Sequence, residues 1–157
     1  LDTDNCGDVI AYEPIISDSL FRFKVSSIST RGYSLANADW VATSETHMAF
    51  IYGPEGAVEG IASEFGATFN DDYQLFTIDC DAQLDDFHIV IGEKTYTVKA
   101  QNLMTKFAPN FCVLSITKIN DAYEPNNWIL GVPFIRSYCN IYDIGAKQIG
   151  FALPKST

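Results

Sequence analysis

The chain has 157 residues, which is enough for one domain that buries about two-thirds of its unfolded surface. Its 20 acidic and 10 basic residues give a net charge of −10 at pH 7, which repels phosphate backbones and anionic lipids. Since no apolar run approaches the roughly 18 residues of a membrane span, we expect neither a nucleic-acid partner nor a membrane. The chain opens without a charged, apolar and small-residue signal segment, which favours a mature or trimmed product.

The first elements in chain order are predicted strands. Apolar and polar residues alternate over 20–25, as they do in a half-buried strand. Two short apolar strands are predicted at 38–43 and 48–52. Residues 44–47 therefore lie on a loop between two strands.

Two helices and a hairpin are predicted next. An amphipathic run between Pro54 and Gly66 predicts a helix, with proline at the first helical position and glycine as its terminator. Segments 87–91 and 94–98 flank a Gly-Glu pair and predict a two-residue hairpin. A second, short helix is predicted near 132–137.

The remaining segments add more strand. We predict a strand over 111–119, and a hairpin that pairs 140–142 with 148–151. The polar segment 121–127 is predicted to be an exposed loop. The sequence contains no internal repeat or linker, so it predicts a mainly β fold with one or two short helices, in one domain spanning residues 1–157.

Four cysteines indicate the compartment in which the chain works. No two of them form a C-x-x-C pair, which favours structural disulfides over a zinc site, and disulfides favour a secreted protein. Three pairings are possible from the sequence alone. The sequence also lacks an Asn-x-Ser/Thr acceptor, so N-glycosylation is not expected.

Several segments resemble pepsin-family aspartic peptidases. Val-Ala-Thr at 41–43 and Phe-Ile-Tyr-Gly-Pro at 50–54 match the frame of a catalytic loop, and Trp-Ile-Leu-Gly-Val-Pro-Phe-Ile-Arg at 128–136 matches the closing segment of the family. Segments 5–12 and 138–145 are most similar to the secreted aspartic peptidases of nematodes. The resemblance implies one pepsin-like C-terminal lobe, about half of a two-lobed peptidase.

The resemblance also implies specific structural pairs. Cys80 and Cys112 match a bridge of pepsin-like C-terminal lobes, which leaves Cys6 with Cys139. A segment that crosses behind the catalytic loop is implied as well, and its residues are Ile129, Leu130 and Gly131.

The catalytic motif itself is altered. Where the family has Asp-Thr-Gly and a hydroxyl residue, this chain has Glu45, Thr46, His47 and Met48. Glu45 keeps a carboxylate but moves it by about an ångström, a displacement that can cost on the order of a hundredfold in rate. His47 is predicted to strain the loop and to fill the space of the partner carboxylate, and Met48 removes the supporting hydroxyl. We therefore expect no catalytic residues.

A nucleophile set or a metal site at this loop has less support from the sequence. Ser44, Glu45 and His47 do not form a nucleophile set, because adjacent residues on an extended loop alternate sides. A metal site of Glu45, His47 and His88 would need a third ligand brought close by the fold, so we expect no metal and no cofactor. Asp143 is predicted to cap a turn.

Three functions remain open. The leading one is a secreted, catalytically inactive aspartic-peptidase-like lobe that acts as a binding or interaction protein. The alternative is an aspartic endopeptidase that is active as a dimer, each copy giving one Glu45, or with a separate N-terminal lobe. The third is a degenerate duplicate without a selected function. We also expect self-association, or a complex with another lobe, through segments 6–12 and 138–151, whose sheet would have an open edge.

Overall fold

A computed structural model describes residues 1–120 and 124–156. Within these ranges, strands dominate. The strands are β1 (Cys6–Pro14), β2 (Arg22–Lys24), β3 (Ser27–Thr30), β4 (Tyr33–Ala36), β5 (Val41–Ser44), β6 (Ile51–Gly53), β7 (Thr68–Asn70), β8 (Leu75–Ile78), β9 (Phe87–Ile91), β10 (Lys94–Val98), β11 (Met104–Ala108), β12 (Phe111–Leu114), β13 (Ile116–Lys118), β14 (Asn127–Leu130), β15 (Cys139–Asp143) and β16 (Gln148–Pro154). The helices are α1 (Glu55–Phe65) and α2 (Val132–Ser137), with a 3-10 turn at Ala100–Asn102.

The strands form four sheets. The terminal sheet has the order β1-β16-β15, and the loop sheet has the order β13-β6-β14-β5-β2. The hairpin sheet is β10-β9-β3-β4, and the outer sheet is β11-β12-β8-β7. The prediction of a mainly β fold with short helices is confirmed, and the architecture fits a single pepsin-like lobe.

Local sequence signals predicted α1 correctly, and α2 lies at the predicted residues 132–137. Gly66 ends α1 with φ 69°, and its N–H bonds back to carbonyl oxygens of the last turn. Pro54 was predicted to be the first helical residue, but it lies immediately before α1, which begins at Glu55. The five apolar residues of the amphipathic pattern are all buried: Ala57, Val58, Ile61, Ala62 and Phe65. The hairpin of β9 and β10 is confirmed, and Gly92 in its turn has φ 60°.

Several predicted strand boundaries are wrong. The strand predicted over 111–119 is two strands in different sheets, separated at Ser115, whose N–H donates to the Leu103 carbonyl at 2.8 Å. The strands predicted from residues 38 and 48 begin only at Val41 and Ile51. Of the predicted loop 121–127, residues 121–123 lie outside the described residues.

An aromatic core joins the sheets. The Tyr96 ring of the hairpin sheet lies 5.0 Å from the Phe151 ring of the terminal sheet, and Trp40 lies 5.4 Å from Trp128 in the loop sheet. The largest fully buried rings are Trp128, Tyr96, Phe23, Phe87, Phe134 and Phe151. Because α2 contributes Phe134 to this core, the end of β14 is fixed against the terminal sheet.

Two disulfides close the fold. Cys6 is bonded to Cys139, which joins the first residues of β1 and β15, and Cys80 is bonded to Cys112 in β12. These are the pairs that the resemblance implied. None of the helices within residues 1–120 and 124–156 has the length and apolar character needed to cross a membrane.

Candidate active-site loop

Residues 45–50 connect β5 to β6, and β14 passes between these two strands. β14 runs parallel to β5 and antiparallel to β6. The Leu130 carbonyl accepts the Glu45 N–H at 3.2 Å, and the Met48 carbonyl accepts the Val132 N–H at 2.9 Å. The loop is therefore held on both sides by the crossing strand.

Gly131 allows the crossing strand to come this close. A Cβ added at Gly131 would overlap the backbone carbonyl oxygens of Met48 and Phe50. Its φ of −89° is accessible to any residue, so the requirement for glycine is steric. The segment expected to cross behind the loop lies directly against it.

Within the loop, the side chains of Glu45 and His47 face each other. The Glu45 Oε2 and His47 Nδ1 atoms are 3.2 Å apart. The Glu45 side chain is 24% exposed, whereas the imidazole of His47 is 75% exposed and Thr46 is also exposed. His47 is not among the described non-glycine residues with positive φ, so the predicted backbone strain at this position is wrong. The backbone at His47 is unstrained, and its imidazole points outward to solvent.

A second set of polar contacts ties the loop sheet to the terminal sheet. Ser44 is buried, and its hydroxyl lies 2.9 Å from Asn140 Oδ1 and 2.7 Å from the Tyr142 hydroxyl. The Tyr142 ring packs edge-on against Phe21 at 4.7 Å. The described hydrogen bonds of Ser44 include neither Glu45 nor His47, so these three residues do not form a nucleophile set.

A third network lies at the start of β14. Arg22 Nη2 donates to both carboxylate oxygens of Glu124 at 2.9 and 3.0 Å, and Asn127 Nδ2 donates to Glu124 at 2.9 Å. Thr43 Oγ1 lies 3.4 Å from Asn127 Oδ1. Sequence reasoning missed this network because Arg22 and Glu124 are 102 residues apart. The network links β2, β5 and β14 beside the loop.

The remaining candidates lie apart from the loop. His88 Nδ1 is 2.8 Å from the Thr97 hydroxyl in the hairpin sheet, and no group of three metal-binding side chains occurs within the described residues. Asp143 accepts hydrogen bonds from the Ala146 N–H at 3.0 Å and from Gln148 at 2.9 Å. The hydrogen bond from the Ala146 N–H, followed by the one from Gln148, lowers the pKa of Asp143. Asp143 therefore caps a turn, as predicted.

A β lobe in which a glycine-bearing strand crosses between the two strands of an acidic loop is the architecture of a pepsin-like aspartic-peptidase domain. The chain matches the eukaryotic aspartyl protease family over residues 1–154 and belongs to that family.

Curated relatives include nematode and vertebrate proteins. Aspartic protease 6 of Caenorhabditis elegans is 38% identical over 152 residues, which are 97% of this chain and 39% of that protein. Aspartic protease 2 of Necator americanus is 33% identical over 99% of this chain and 36% of its own length. Pepsin A-5 of Mus musculus is 28% identical over 88% of this chain and 37% of its own length. The chain thus spans less than two-fifths of the length of these relatives.

Proposed function

We propose that this chain is a pepsin-like C-terminal lobe that has lost peptidase chemistry and acts as a secreted binding module. The observation that carries the proposal is the pairing of Glu45 with His47 at 3.2 Å, at the positions of the catalytic acid and its glycine.

The chemistry of the family requires two carboxylates that share one proton and activate a water between them. Glu45 provides a carboxylate, but its near neighbour is the imidazole of its own loop. An imidazole on the exposed side of the loop stands in the path by which a second carboxylate would approach. The site therefore favours an internal acid–imidazole pair over an acid dyad.

The rest of the motif points the same way. The family places a hydroxyl residue after the glycine, where it hydrogen-bonds the catalytic carboxylate. Met48 provides no hydroxyl and is half-buried, and its carbonyl is occupied by the Val132 N–H. Glu45 therefore lacks the donor that orients the catalytic acid in the family.

Secretion is supported by the two disulfides. Cys6–Cys139 and Cys80–Cys112 persist in an oxidising compartment and are reduced in a cytosolic one. A binding role is supported by the scaffold around the altered motif. The crossing strand, Gly131 and the aromatic core are in place, so the fold does not depend on the catalytic residues.

One observation favours the alternative, a peptidase completed by a second lobe or a second copy. The Glu45 backbone is still fixed by Leu130, and the loop still offers a carboxylate to a neighbour. If this alternative holds, Glu45 is the catalytic acid and its removal abolishes cleavage.

Hydrolysis of denatured globin at about pH 3 to 5 separates the proposed function from a peptidase formed by two copies of the chain. The chain and its Glu45→Ala variant are assayed with and without a transition-state-mimicking peptide inhibitor, while light scattering reports dimers. Glu93→Ala, at an exposed hairpin turn, is the matched control for loss of a carboxylate. We expect no cleavage by any of the three. Inhibitor-sensitive cleavage that is lost in Glu45→Ala and kept in Glu93→Ala would establish a peptidase formed by two copies.

A further inference from the structure

We propose that Tyr73, Phe107 and Phe111 form a docking surface for a cationic polypeptide segment. This aromatic surface belongs to the outer sheet, whereas the 45–50 loop belongs to the loop sheet. The inference therefore does not depend on whether the loop is catalytic.

The three rings are in contact, and two of them are exposed, whereas Phe111 is half-buried. Phe111 lies between the other two, with ring centroids 5.3 Å from Tyr73 and 5.6 Å from Phe107. Tyr73 is 61% exposed and Phe107 is 53% exposed. Single exposed apolar residues are ordinary, but contiguous exposed rings mark interaction sites.

Packing of the three rings over the outer sheet explains only part of their positions. Val113 is fully buried outside the main core, and strand alternation places it on the same face of β12 as Phe111. The rings thus shield Val113. Covering one valine does not require Tyr73 and Phe107 to keep more than half of their surface in water.

The local backbone conformation places two of these rings at the surface. The β11–β12 pairing is irregular between Lys106 and Ala108, which leaves Phe107 outside the ladder at its outer edge. Tyr73 lies in the β7–β8 turn, where the Asn70 carboxamide oxygen accepts its N–H at 3.1 Å. Phe107 is therefore held at a bulge of β11, and Tyr73 is held in an ordered turn.

The charges beside the rings are negative. Asp71 and Asp72 precede Tyr73, are exposed, and form no ion pair within residues 1–120 and 124–156. Lys106 does not offset them, because it lines the hollow beside Cys80 and Cys112, on the opposite face from Phe111. Asp71 and Asp72 thus add two exposed negative charges next to Tyr73 in the chain.

Ring orientation also favours a cation. The Tyr73 and Phe107 rings are tilted by 50° and 30° from Phe111, so they do not form the flat platform on which a sugar ring stacks. Ring faces turned in different directions suit an ammonium or guanidinium group. The chain uses this contact internally, since Lys118 Nζ lies 4.2 Å from the Phe69 ring centre. The occupant we infer is a segment rich in lysine or arginine.

The test measures binding of the intact chain to a capped octapeptide of alternating arginine and alanine at neutral pH. An alternating glutamine–alanine octapeptide and maltohexaose are the comparison probes. We expect saturable binding of the arginine peptide alone. Tyr73→Ala and Phe107→Ala should each weaken it by about 3- to 30-fold, the range of a cation–π contact. Ile144→Ala, at an exposed apolar residue on another hairpin, should leave the affinity unchanged.

Two further variants separate the contributions of the aromatic ring face and of the acidic charges to peptide binding. Phe107→Leu keeps an apolar side chain without a π face, so it should weaken binding as much as Phe107→Ala. The double variant Asp71→Asn/Asp72→Asn should weaken binding more than Asp4→Asn/Asp8→Asn, which removes the same charge elsewhere. Full affinity in Phe107→Leu, or equal effects of the two charge variants, would overturn the proposal. Binding of maltohexaose in place of the peptide would also overturn it, in favour of a carbohydrate site.

Discussion

The close crossing of β14 behind the 45–50 loop predicts that Gly131→Ala destabilises the chain strongly. The new methyl group would overlap the carbonyl oxygens of Met48 and Phe50, and backbone atoms cannot escape by a rotamer change. Overpacking of this kind costs about 1 to 3 kcal/mol or more. For a chain of this size, each kcal/mol lowers Tm by roughly 2 to 4 °C, so we expect a decrease of about 2 to 12 °C.

Gly56→Ala is the matched control for this substitution. Gly56 is an exposed residue of α1 with nothing within 4 Å of an added Cβ, so alanine should stabilise the helix by about 0.5 to 1 kcal/mol. Thermal unfolding followed by circular dichroism measures both variants. If Gly131→Ala melted at or above the wild-type temperature, the strand would not cross against the loop as described.

Three further predictions concern contacts elsewhere in the fold. Tyr142→Phe removes the 2.7 Å hydrogen bond to Ser44 and should cost about 0.5 to 1.5 kcal/mol in urea unfolding, so an unchanged midpoint would contradict the role of this contact. Burial, with the neighbouring charge of Glu93, raises the pKa of Glu13; the resulting stability is present in acid and lost as pH rises through the folded-state pKa. Glu13→Gln should therefore reduce the fall in Tm between about pH 4 and pH 7, and an unchanged pH profile would refute this assignment. Replacing both cysteines of the Cys6–Cys139 disulfide by serine removes a cross-link between residues that are 133 apart in the sequence. The chain-entropy relation assigns this cross-link about 5 kcal/mol of stability, so Tm should fall. A Tm change under about 3 °C would count against this prediction.

Local sequence signals predicted the elements that depend on neighbours in the chain. Pro54, Gly66 and five apolar residues specify α1, and Gly92 specifies a hairpin turn, because their conformations are decided within a few residues. The crossing of β14 and the disulfide pairs were implied by resemblance to a family, since periodicity alone does not order strands in a sheet.

The remaining features depend on contacts between distant segments. The hydrogen bonds of Ser44 to Asn140 and Tyr142 span 96 and 98 residues, and nothing near Ser44 announces them. Their common face was the available signal, because residues 140 and 142 are two apart on one predicted strand and so lie on the same side of it. Ser115 separates two strands of different sheets within one apolar run, and a pattern of hydrophobicity cannot reveal such a change of sheet.

We propose that the 45–50 loop is catalytically silent even beside a complete partner lobe. The most direct test is a chimera in which this chain replaces the matching 152 residues of Aspartic protease 6. Globin hydrolysis by the chimera is measured at about pH 3 to 5. A second chimera that carries Glu45→Asp, His47→Gly and Met48→Thr provides the active reference. We predict hydrolysis by the restored chimera and none by the chimera with the native loop. Hydrolysis by the native loop at a comparable rate, abolished by Glu45→Ala, would contradict the account.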